Sequence, residues 1–472
     1  MIPAATISPN AAAAEKYDQL YLWSISLIAA LGGLLFGYDW VVIGGAKPFY
    51  EVYFQLATPA QQGWAMSCAL IGCLLGAGVS GVLSDHFGRK RMLILAGLTF
   101  TASSLGTGLA GSLGAFVVWR IAGGVAIGLA SSLSPMYIAE IAPAQLRGRL
   151  VSVNQLTIVL GVVLAQGINW LIARPLPAQV TQSQILQSWD GQLGWRWMFG
   201  VTAIPATVFL VAMFCAPESP RWLAKKKKQG EALRILARIG GRAYGDRVLQ
   251  EIDETLIAGD RGIGLREYLV PWIYKPMLLG IALAFLQQWC GINVIFNYAQ
   301  EVFAAAGYSL SSMLSNIVLT GLVMLVFTFI AIQTVDRKGR RTLMLTGCAG
   351  LAALYTCLGY AYYVHGHGLV MLLLVVAAIA VYAMTLAPIT WVLLSEIFPN
   401  QVRGPAMAIA TTSLWAACFV LTYTFPLLNG SLGPAKTFWI YAAICTLGFL
   451  LVSKCVPETK GKTLEQIETL WR

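Results

Sequence analysis

The chain contains the stretch Asp85-His86-Phe87-Gly88-Arg89-Lys90, and its second half contains the related stretch Asp336-Arg337-Lys338-Gly339-Arg340-Arg341. Each copy is followed, in the same order, by a glutamate seven residues ahead of an arginine and then by a Pro-Glu-Ser or Pro-Glu-Thr triplet. This shared order indicates that one half of the chain duplicates the other. Duplicated halves of a membrane protein usually enclose a substrate path between them.

The composition places the chain in a membrane. Hydrophobic residues make up 57% of its 472 residues and charged residues 11%, and one soluble globule cannot bury so much apolar surface. Glycine and alanine recur along the apolar runs, which favours closely packed helices over a β-barrel. Twelve runs are long enough to cross a hydrocarbon core of about 30 Å. They lie near residues 21–46, 62–84, 92–113, 115–139, 150–173, 196–216, 273–304, 310–335, 341–364, 369–396, 403–428 and 434–455.

The longest polar interval lies in the middle of the chain and divides these runs into two sets of six. Within it, residues 233–239 and 249–256 have the apolar spacing of short amphipathic helices. The sequence therefore predicts an all-α membrane protein with two pseudo-symmetric six-helix bundles and a short cytoplasmic helical linker. The expected boundaries are an N-terminal cytoplasmic segment 1–20, a first bundle 21–216, a linker 217–272, a second bundle 273–455 and a cytoplasmic tail 456–472.

Basic residues predict the orientation of the helices. Lysine and arginine cluster at residues 89–91, 147–149, 225–228, 337–341 and 454–462, which all fall in the same set of loops. The positive-inside rule then places both termini in the cytoplasm. This topology, with contact to anionic membrane lipid, accounts for the net charge of +11, so nucleic acid is not expected as a partner. The nine cysteines form no CxxC or Cys/His cluster, so neither a metal nor a cofactor is expected.

Four longer motifs carry a family resemblance. They are Gly32-Gly33-Leu34-Leu35-Phe36-Gly37-Tyr38-Asp39, Pro217-Glu218-Ser219-Pro220-Arg221-Trp222-Leu223, Gln287-Gln288-Trp289-Cys290-Gly291-Ile292-Asn293 and Pro457-Glu458-Thr459-Lys460-Gly461. The chain resembles the sugar porter family of the major facilitator superfamily along nearly its whole length, and within it the bacterial D-xylose/proton symporters most. The resemblance implies a twelve-helix carrier that works by alternating access in the bacterial inner membrane. We expect it to act as a monomer.

The repeated motifs place carboxylates and guanidinium groups at the cytoplasmic ends of neighbouring helices, where bidentate hydrogen bonds can clamp one helix end to another. In the resembled family such networks hold the cytoplasmic side shut. One exposed pair contributes only about 0–1 kcal/mol, but several together can bias a transition between two states. The candidate gate residues are Arg89, Glu140, Arg147 and Glu218 in the first half and Arg340, Glu396, Arg403 and Glu458 in the second.

Asp39 lies within the outer half of the first run, where a bare carboxylate costs about 2.5 kcal/mol or more. Arg120 of the fourth run is its expected partner, because at 1.5 Å per residue the two share a depth to within roughly 3 Å. Two readings stay open: a structural salt bridge, or a proton switch in which separation of the pair leads the carboxylate to bind a proton. In the resembled family, proton symporters carry Asp at this position and many facilitative carriers carry Asn, so Asp39 favours symport.

A sugar presents many hydroxyl groups and an apolar ring face to its site. Amides suit hydroxyls because each both donates and accepts, and indole rings can stack on the ring face. A lone amide also serves as an interhelical hydrogen bond worth about 0.6 kcal/mol, and a tryptophan serves as packing, so both readings stay open. Matching family motif positions support all the candidates except Asn297. The candidate sugar contacts are Gln155, Gln287, Gln288, Asn293, Asn297, Trp391 and Trp415.

Several positions depart from the family pattern. A tyrosine pair is replaced by Asn297-Tyr298, an amide of the eighth run by Met324, a polar residue of the eleventh by Leu414, and a Gly-Pro turn by Ala387-Pro388. These changes make the second-half side of the pocket more apolar, so we expect a substrate different from that of the most similar relative.

The sequence thus predicts proton-coupled uptake of a monosaccharide, a pentose or a hexose, across the bacterial inner membrane. An uncoupled facilitative uniporter is the first alternative, in which Asp39 and Arg120 only gate the path. A transporter-like sugar sensor and an exporter of amphipathic compounds are further alternatives. An enzyme is not expected, because the sequence contains no nucleotide-binding loop, nucleophile elbow or metal-ligand set.

Overall fold

The protein is helical throughout the part that the structure describes, and no strand occurs there. The structure, a computed structural model, describes residues 17–177, 180–259, 270–366, 368–399, 402–460, 462 and 464–471. Outside these residues lie 1–16 of the N-terminal segment, 178–179 of the first bundle, 260–269 of the linker, 367 and 400–401 of the second bundle, and 461, 463 and 472 of the tail.

Six membrane-length helices form the first half of the chain. Local sequence begins several of them: the Thr58 and Ser112 hydroxyls accept the first free backbone N–H groups of the second and fourth helices. The third helix follows the second after one residue. The six helices are Gln19–Tyr53, Pro59–Phe87, Arg89–Gly108, Leu113–Ile141, Ala144–Ile172 and Asp190–Cys215.

The helices of the second half are more often interrupted. The seventh spanning helix, predicted as one run, consists of Pro271–Trp289, Ile292–Asn297 and Ala299–Ala305. The tenth is divided at Thr385 into Leu369–Met384 and Leu386–Ile397. The eighth and ninth are Leu310–Lys338 and Arg340–Tyr363, and the eleventh and twelfth together occupy Arg403–Cys455, which breaks at Gly433 (φ 78°, ψ 167°).

The described residues hold twelve spanning helices, as the sequence predicts. Ten helical stretches are long and apolar enough to cross a membrane by length and composition. One of them, Arg403–Cys455, is two helices joined at Gly433, which makes eleven. The twelfth is Arg89–Gly108, whose first three residues are basic and lower its mean hydropathy.

Glycines with positive φ separate adjacent helices at the two repeated motifs. Gly88 (φ 98°) lies between the second and third helices, and Gly339 (φ 88°) between the eighth and ninth. This region of backbone space favours glycine because a Cβ atom would clash there. We call the helix ends beside these two glycines the motif side of the molecule, and the other ends the opposite side.

Glycine also allows close packing inside the first half. A Cβ atom at Gly37 of the first helix would overlap the carbonyl of Ile158 in the fifth, and one at Gly161 of the fifth would overlap the carbonyl of Leu34 in the first. The second and fourth helices meet in the same way. Small residues let backbones approach closely in lipid, where dispersion contacts rather than the hydrophobic effect hold helices together.

The two halves pack against each other nearer the opposite side. The larger apolar cluster there takes residues from both halves, including Val42 of the first helix and Phe303 of the seventh. Helices of the two halves also approach closely at three points. These are Gly44 against the Phe296 carbonyl, Gly63 against the Tyr423 carbonyl, and Gly321 against the Gln166 side chain. The halves are therefore closed against each other on the opposite side.

Short helices between the halves lie beneath the first half on the motif side. They are Pro220–Lys225, Gln229–Gly240 and Arg242–Gly259. Leu236 and Ile239 are buried against the first half, and the Asp18 backbone N–H donates to the Ile239 carbonyl at 2.8 Å. A cleft of about 970 Å³ lies between these helices and the first half.

Candidate functional site

A buried ion pair joins the first and fourth spanning helices. Arg120 Nη1 donates to Asp39 Oδ1 at 2.5 Å, and the two residues are 4% and 7% exposed. The guanidinium carbon of Arg120 also lies 5.3 Å from the ring centre of Phe199. An isolated charge is costly at this depth, so each member of the pair stabilises the other.

A cavity of about 20 Å³ lies beside this ion pair, large enough for about one water molecule. Asp39, Arg120 and Met66 of the first half line it, together with Asn297 of the second half. Asn297 Oδ1 is buried and accepts no hydrogen bond within the described residues. The ion pair and an unpaired amide oxygen therefore meet where the two halves touch.

Three predicted amides of the seventh helix form one hydrogen-bonded network. Gln288 Nε2 donates to Gln287 Oε1 at 2.8 Å, and Asn293 Nδ2 donates to Gln288 Oε1 at 2.5 Å. Each of the three residues is at most 6% exposed, so none of them faces lipid. The break at Gly291, with φ 89°, lies between the glutamines and Asn293 and allows their side chains to meet.

The other candidate sugar contacts lie in different surroundings. Gln155 of the fifth helix is half-buried, and its side chain makes no hydrogen bond among the described residues. Trp391 is half-buried and packs against both large apolar clusters. Trp415 is buried, with its ring 5.5 Å from that of Phe36 and 6.1 Å from that of Trp40, and its Nε1 has no partner within the described residues. Trp415 therefore packs across the contact between the halves.

Three of the positions that depart from the expected family pattern are buried and apolar. Met324, Leu414 and Ala387 are 9%, 4% and 6% exposed. None of these side chains offers a strong hydrogen bond to a hydroxyl group. The interior on the second-half side accordingly has fewer polar side chains than the family pattern.

A network of charged residues ties together the motif-side helix ends of the first half. Arg89 donates to both oxygens of Glu140, each at 3.1 Å, and to Asp85 at 2.9 Å. Glu218 Oε1 accepts the backbone N–H groups of Arg89 and Lys90 at 3.0 and 3.1 Å. The second, third and fourth helices are thus fastened to the residues that follow the sixth.

The second half repeats this arrangement at the corresponding residues. Arg340 Nη2 donates to Glu396 at 3.2 Å, and Glu458 accepts the backbone N–H groups of Arg340 and Arg341 at 2.9 and 3.2 Å. Arg403 Nη2 donates to the carbonyl of Phe398 at 3.2 Å. In both halves the glutamate of the Pro-Glu triplet closes the loop that contains the positive-φ glycine.

Arg147 differs from the other expected gate residues. Its side chain is exposed, lines the motif-side cleft and makes no ion pair within the described residues. Glu140 is already engaged by Arg89 and by the Ser219 hydroxyl, which donates to it at 2.5 Å. The expected salt bridge of Arg147 is therefore not present in this structure.

One charged cluster was missed by the sequence reasoning. Lys47 was expected in a loop, because the first predicted run ends at residue 46. It lies inside the first helix instead, where it is 2% exposed and contacts the carboxylates of Glu51 and Glu301. The i,i+4 spacing of Lys47 and Glu51 was a usable signal. Glu301 could not be paired with them from the sequence, because it comes from the other half.

The family of the chain follows from a match over nearly its whole length. A family model described as "Sugar (and other) transporter" matches residues 25–471. The chain belongs to this sugar transporter family. Its members are membrane carriers rather than enzymes, which agrees with the multi-pass helical structure.

The sequences of two relatives align with this sugar transporter over almost its whole length. The D-xylose-proton symporter of Escherichia coli (strain K12) is 39% identical over 97% of this chain and 97% of its own length. The arabinose-proton symporter of Bacillus subtilis (strain 168) is 37% identical over 98% of both chains. A solved structure of the proton:xylose symporter XylE bound to 6-bromo-6-deoxy-D-glucose is 40% identical, covers 97% of this chain and 100% of its own, and has a TM-score of 0.81. The twelve-helix major facilitator fold expected from the sequence is thereby confirmed.

Proposed function

We propose that this protein carries a monosaccharide, a pentose or a hexose, together with a proton by alternating access. The observation that carries the proposal is the buried Asp39–Arg120 pair, which shares a cavity with Asn297 of the other half. Both charged residues belong to the first half, so separation of the two halves would uncover the pair and admit water to it through this cavity. The similarity to xylose-proton and arabinose-proton symporters supports the same function.

The sugar would bind between the halves, against the buried amides. Gln287, Gln288 and Asn293 supply a connected set of donors and acceptors, and Asn297 adds an unpaired oxygen. Amides match an uncharged polyol because each hydroxyl of the sugar can both donate and accept. The remaining candidate contacts, on the fifth, tenth and eleventh helices, are Gln155, Trp391 and Trp415.

Proton coupling would follow from the separation of Asp39 and Arg120. In this structure the Arg120 guanidinium occupies the Asp39 carboxyl group. When the halves move apart, water and sugar would reach the pair from the cavity and separate its two members, and Asp39 would then bind a proton from this water. Sugar binding and proton uptake then depend on the same conformational change, which is the requirement for coupling.

In alternating access, the opposite side would open and the motif side would close. The motif-side networks of Arg89 and Arg340 fasten helix ends within each half, so each half can move as one body. Arg147 and Arg403 lie on the same side of their respective halves, where we propose that they contact the other half when the motif side closes. Several such bonds can together bias an equilibrium of a few kcal/mol.

We also propose a membrane topology and a state of assembly. The positive loops place the motif side and both termini in the cytoplasm of a bacterium, and the opposite side outside its inner membrane. The functional units would be the bundles 21–216 and 273–455, with the linker 217–272 between them. The protein would work as a monomer in contact with anionic lipid.

Substituting Asp39 by Asn tests proton coupling, because Asn retains the size of the side chain and cannot bind a proton in the physiological pH range. In proteoliposomes with an imposed pH gradient, we expect the variant to lose uphill accumulation of labelled xylose or glucose while exchange of sugar for sugar continues. A facilitative uniporter would show no gradient-driven accumulation in either protein. Unchanged uphill accumulation in the variant would contradict the proposal.

A further inference from the structure

A buried cluster of three charges lies near the opposite side of the first helix. Both oxygens of Glu51 are within 3.0–3.1 Å of Lys47 Nζ, and Glu301 of the seventh helix contacts the same ammonium group. Lys47 Nζ also lies 5.5 Å from the ring centre of Tyr298. The exposed fractions of the three charged side chains are 2% for Lys47, 12% for Glu51 and 26% for Glu301.

This cluster is an ionic link between the two halves. Lys47 and Glu51 belong to the first helix, whereas Glu301 belongs to the helix Ala299–Ala305 in the second half. The ion pairs of Asp39, Arg89 and Arg340 described above each lie within one half. The first helix also contacts the preceding segment of the seventh, Ile292–Asn297, where Gly44 approaches the carbonyl of Phe296.

The cluster lies between the candidate sugar site and the opposite side. Lys47 is eight residues after Asp39 in one continuous helix, which places it about 12 Å closer to the opposite side. Glu301 is four residues beyond Asn297 on the seventh helix. A path from the opposite side that runs between the first and seventh helices to Asp39 and Asn297 therefore passes the contact between Lys47 and Glu301.

We propose that Lys47, Glu51 and Glu301 form the outer gate of the carrier, an inference that rests on the proposed alternating access. The bond between Lys47 and Glu301 holds the opposite side closed, and it breaks when that side opens. Removing one partner from a buried ion pair leaves an uncompensated charge, so the closed state depends strongly on both residues.

Glu51 has a different effect on this gate from that of Glu301. Because it is one helical turn from Lys47, it moves with Lys47 when the first and seventh helices separate. The ammonium group then keeps a carboxylate partner in the open state and is not left alone in the membrane. Glu51 thus lowers the free-energy difference between the closed and open states, whereas Glu301 favours the closed one.

The seventh helix has the breaks that such a moving element needs. Its outer part, Ile292–Ala305, lies between two positive-φ glycines, Gly291 (φ 89°) and Gly307 (φ 85°). Tyr298 interrupts it again, and the Tyr298 hydroxyl donates to the Thr422 carbonyl at 2.5 Å. The outer part can therefore change its angle without unwinding the part before Gly291, which carries Gln287 and Gln288.

Hydrogen exchange of the full-length protein in lipid nanodiscs tests the gate without any sugar or pH gradient. For Glu301→Gln we expect the backbone amides of residues 292–305 to exchange on the order of tenfold faster than in the wild type, because the closed state loses its buried ion pair. The comparison variant is Glu51→Gln, which keeps the link between the halves but removes the partner that Lys47 retains in the open state, so its exchange over residues 292–305 should be no faster than in the wild type.

A charge exchange provides a second, independent variant. The protein with Lys47→Glu and Glu301→Lys keeps one cation and two carboxylates in the cluster, and its exchange over residues 292–305 should return toward the wild-type rate. Equal exchange in Glu301→Gln and the wild type would overturn the gate, and so would faster exchange spread evenly over all helices. Because the measurement needs no substrate, a protein that fails to carry sugar can still give either result.

Discussion

Buried polar atoms without partners mark where a ligand has something to bind. Asn297 Oδ1 and Trp415 Nε1 are both buried, and neither has a hydrogen-bond partner within the described residues. Both belong to the second half and lie against side chains of the first. An unpaired buried group costs about 1–3 kcal/mol, so a sugar hydroxyl that pairs with these atoms would stabilise the bound state.

Replacing Asn293 by alanine tests the amide network at this scale. The change removes the donor to Gln288 Oε1 and leaves that buried acceptor unpaired, so we expect sugar binding to weaken by about 5- to 100-fold. Isothermal titration calorimetry with xylose and glucose measures the effect. The matched control is Asn169→Ala, which removes a buried amide that donates to the Val42 carbonyl instead. Wild-type affinity in the Asn293 variant, or an equal loss in both, would argue against the network as the sugar site.

Single residues also explain where the sequence misleads. The sequence predicts that a loop begins at Lys47, because an isolated lysine is costly inside a membrane helix. Its two carboxylate partners remove that cost, and the first helix runs on to Tyr53. One partner is the distant Glu301, and hydropathy along the chain contains no information about such a pairing. The Asp39–Arg120 pair was accessible to sequence reasoning because both residues lie inside clear apolar runs, so their depths follow from helix geometry.

At the scale of helices, the repeated motifs act through their loops. In each half a glutamate accepts two backbone N–H groups of the loop, and the preceding glycine has a positive φ. The glycine also makes room for the glutamate, since a Cβ atom at Gly88 would overlap Glu218 and one at Gly339 would lie 2.7 Å from Glu458. The similar geometry of the two copies agrees with the duplication indicated by the sequence.

We expect Gly88→Ala to destabilise the protein for two reasons: the strained φ and the collision with Glu218. A residue forced into this backbone region costs about 1–3 kcal/mol, so the thermal unfolding midpoint in detergent should fall. Gly81→Ala is the control, because that glycine lies inside the second helix, seven residues before Gly88, and no described atom lies within 4 Å of a Cβ added there. Equal midpoints for the two variants would show that the Gly88 loop is not constrained.

The sequence indicates some of the helix interruptions and gives no indication of others. The break at Gly291 falls at a glycine, the residue that most readily adopts a positive φ. The break at Tyr298 is not indicated, because tyrosine does not end helices by itself; there the Tyr298 hydroxyl is held by the Thr422 carbonyl of the eleventh helix. Tertiary contacts of this kind override local preference, and a predicted continuous run becomes three segments.

At the scale of the whole molecule, the duplication and the hydropathy pattern were enough to predict twelve helices in two halves. They do not determine which side is closed, because two states of a carrier differ by only a few kcal/mol. In this structure the opposite side is closed by Gly44, Gly63 and the Lys47–Glu301 pair. The motif-side networks, in contrast, are bonds within each half.

Sugar-driven proton movement tests the central claim most directly. Purified protein is placed in liposomes that contain a pH-sensitive dye, without an imposed gradient, and xylose or glucose is added outside. We predict that sugar entry acidifies the lumen in the wild type and that Asp39→Asn abolishes this acidification while sugar still exchanges. Sugar entry into wild-type liposomes with no change of internal pH would contradict the account.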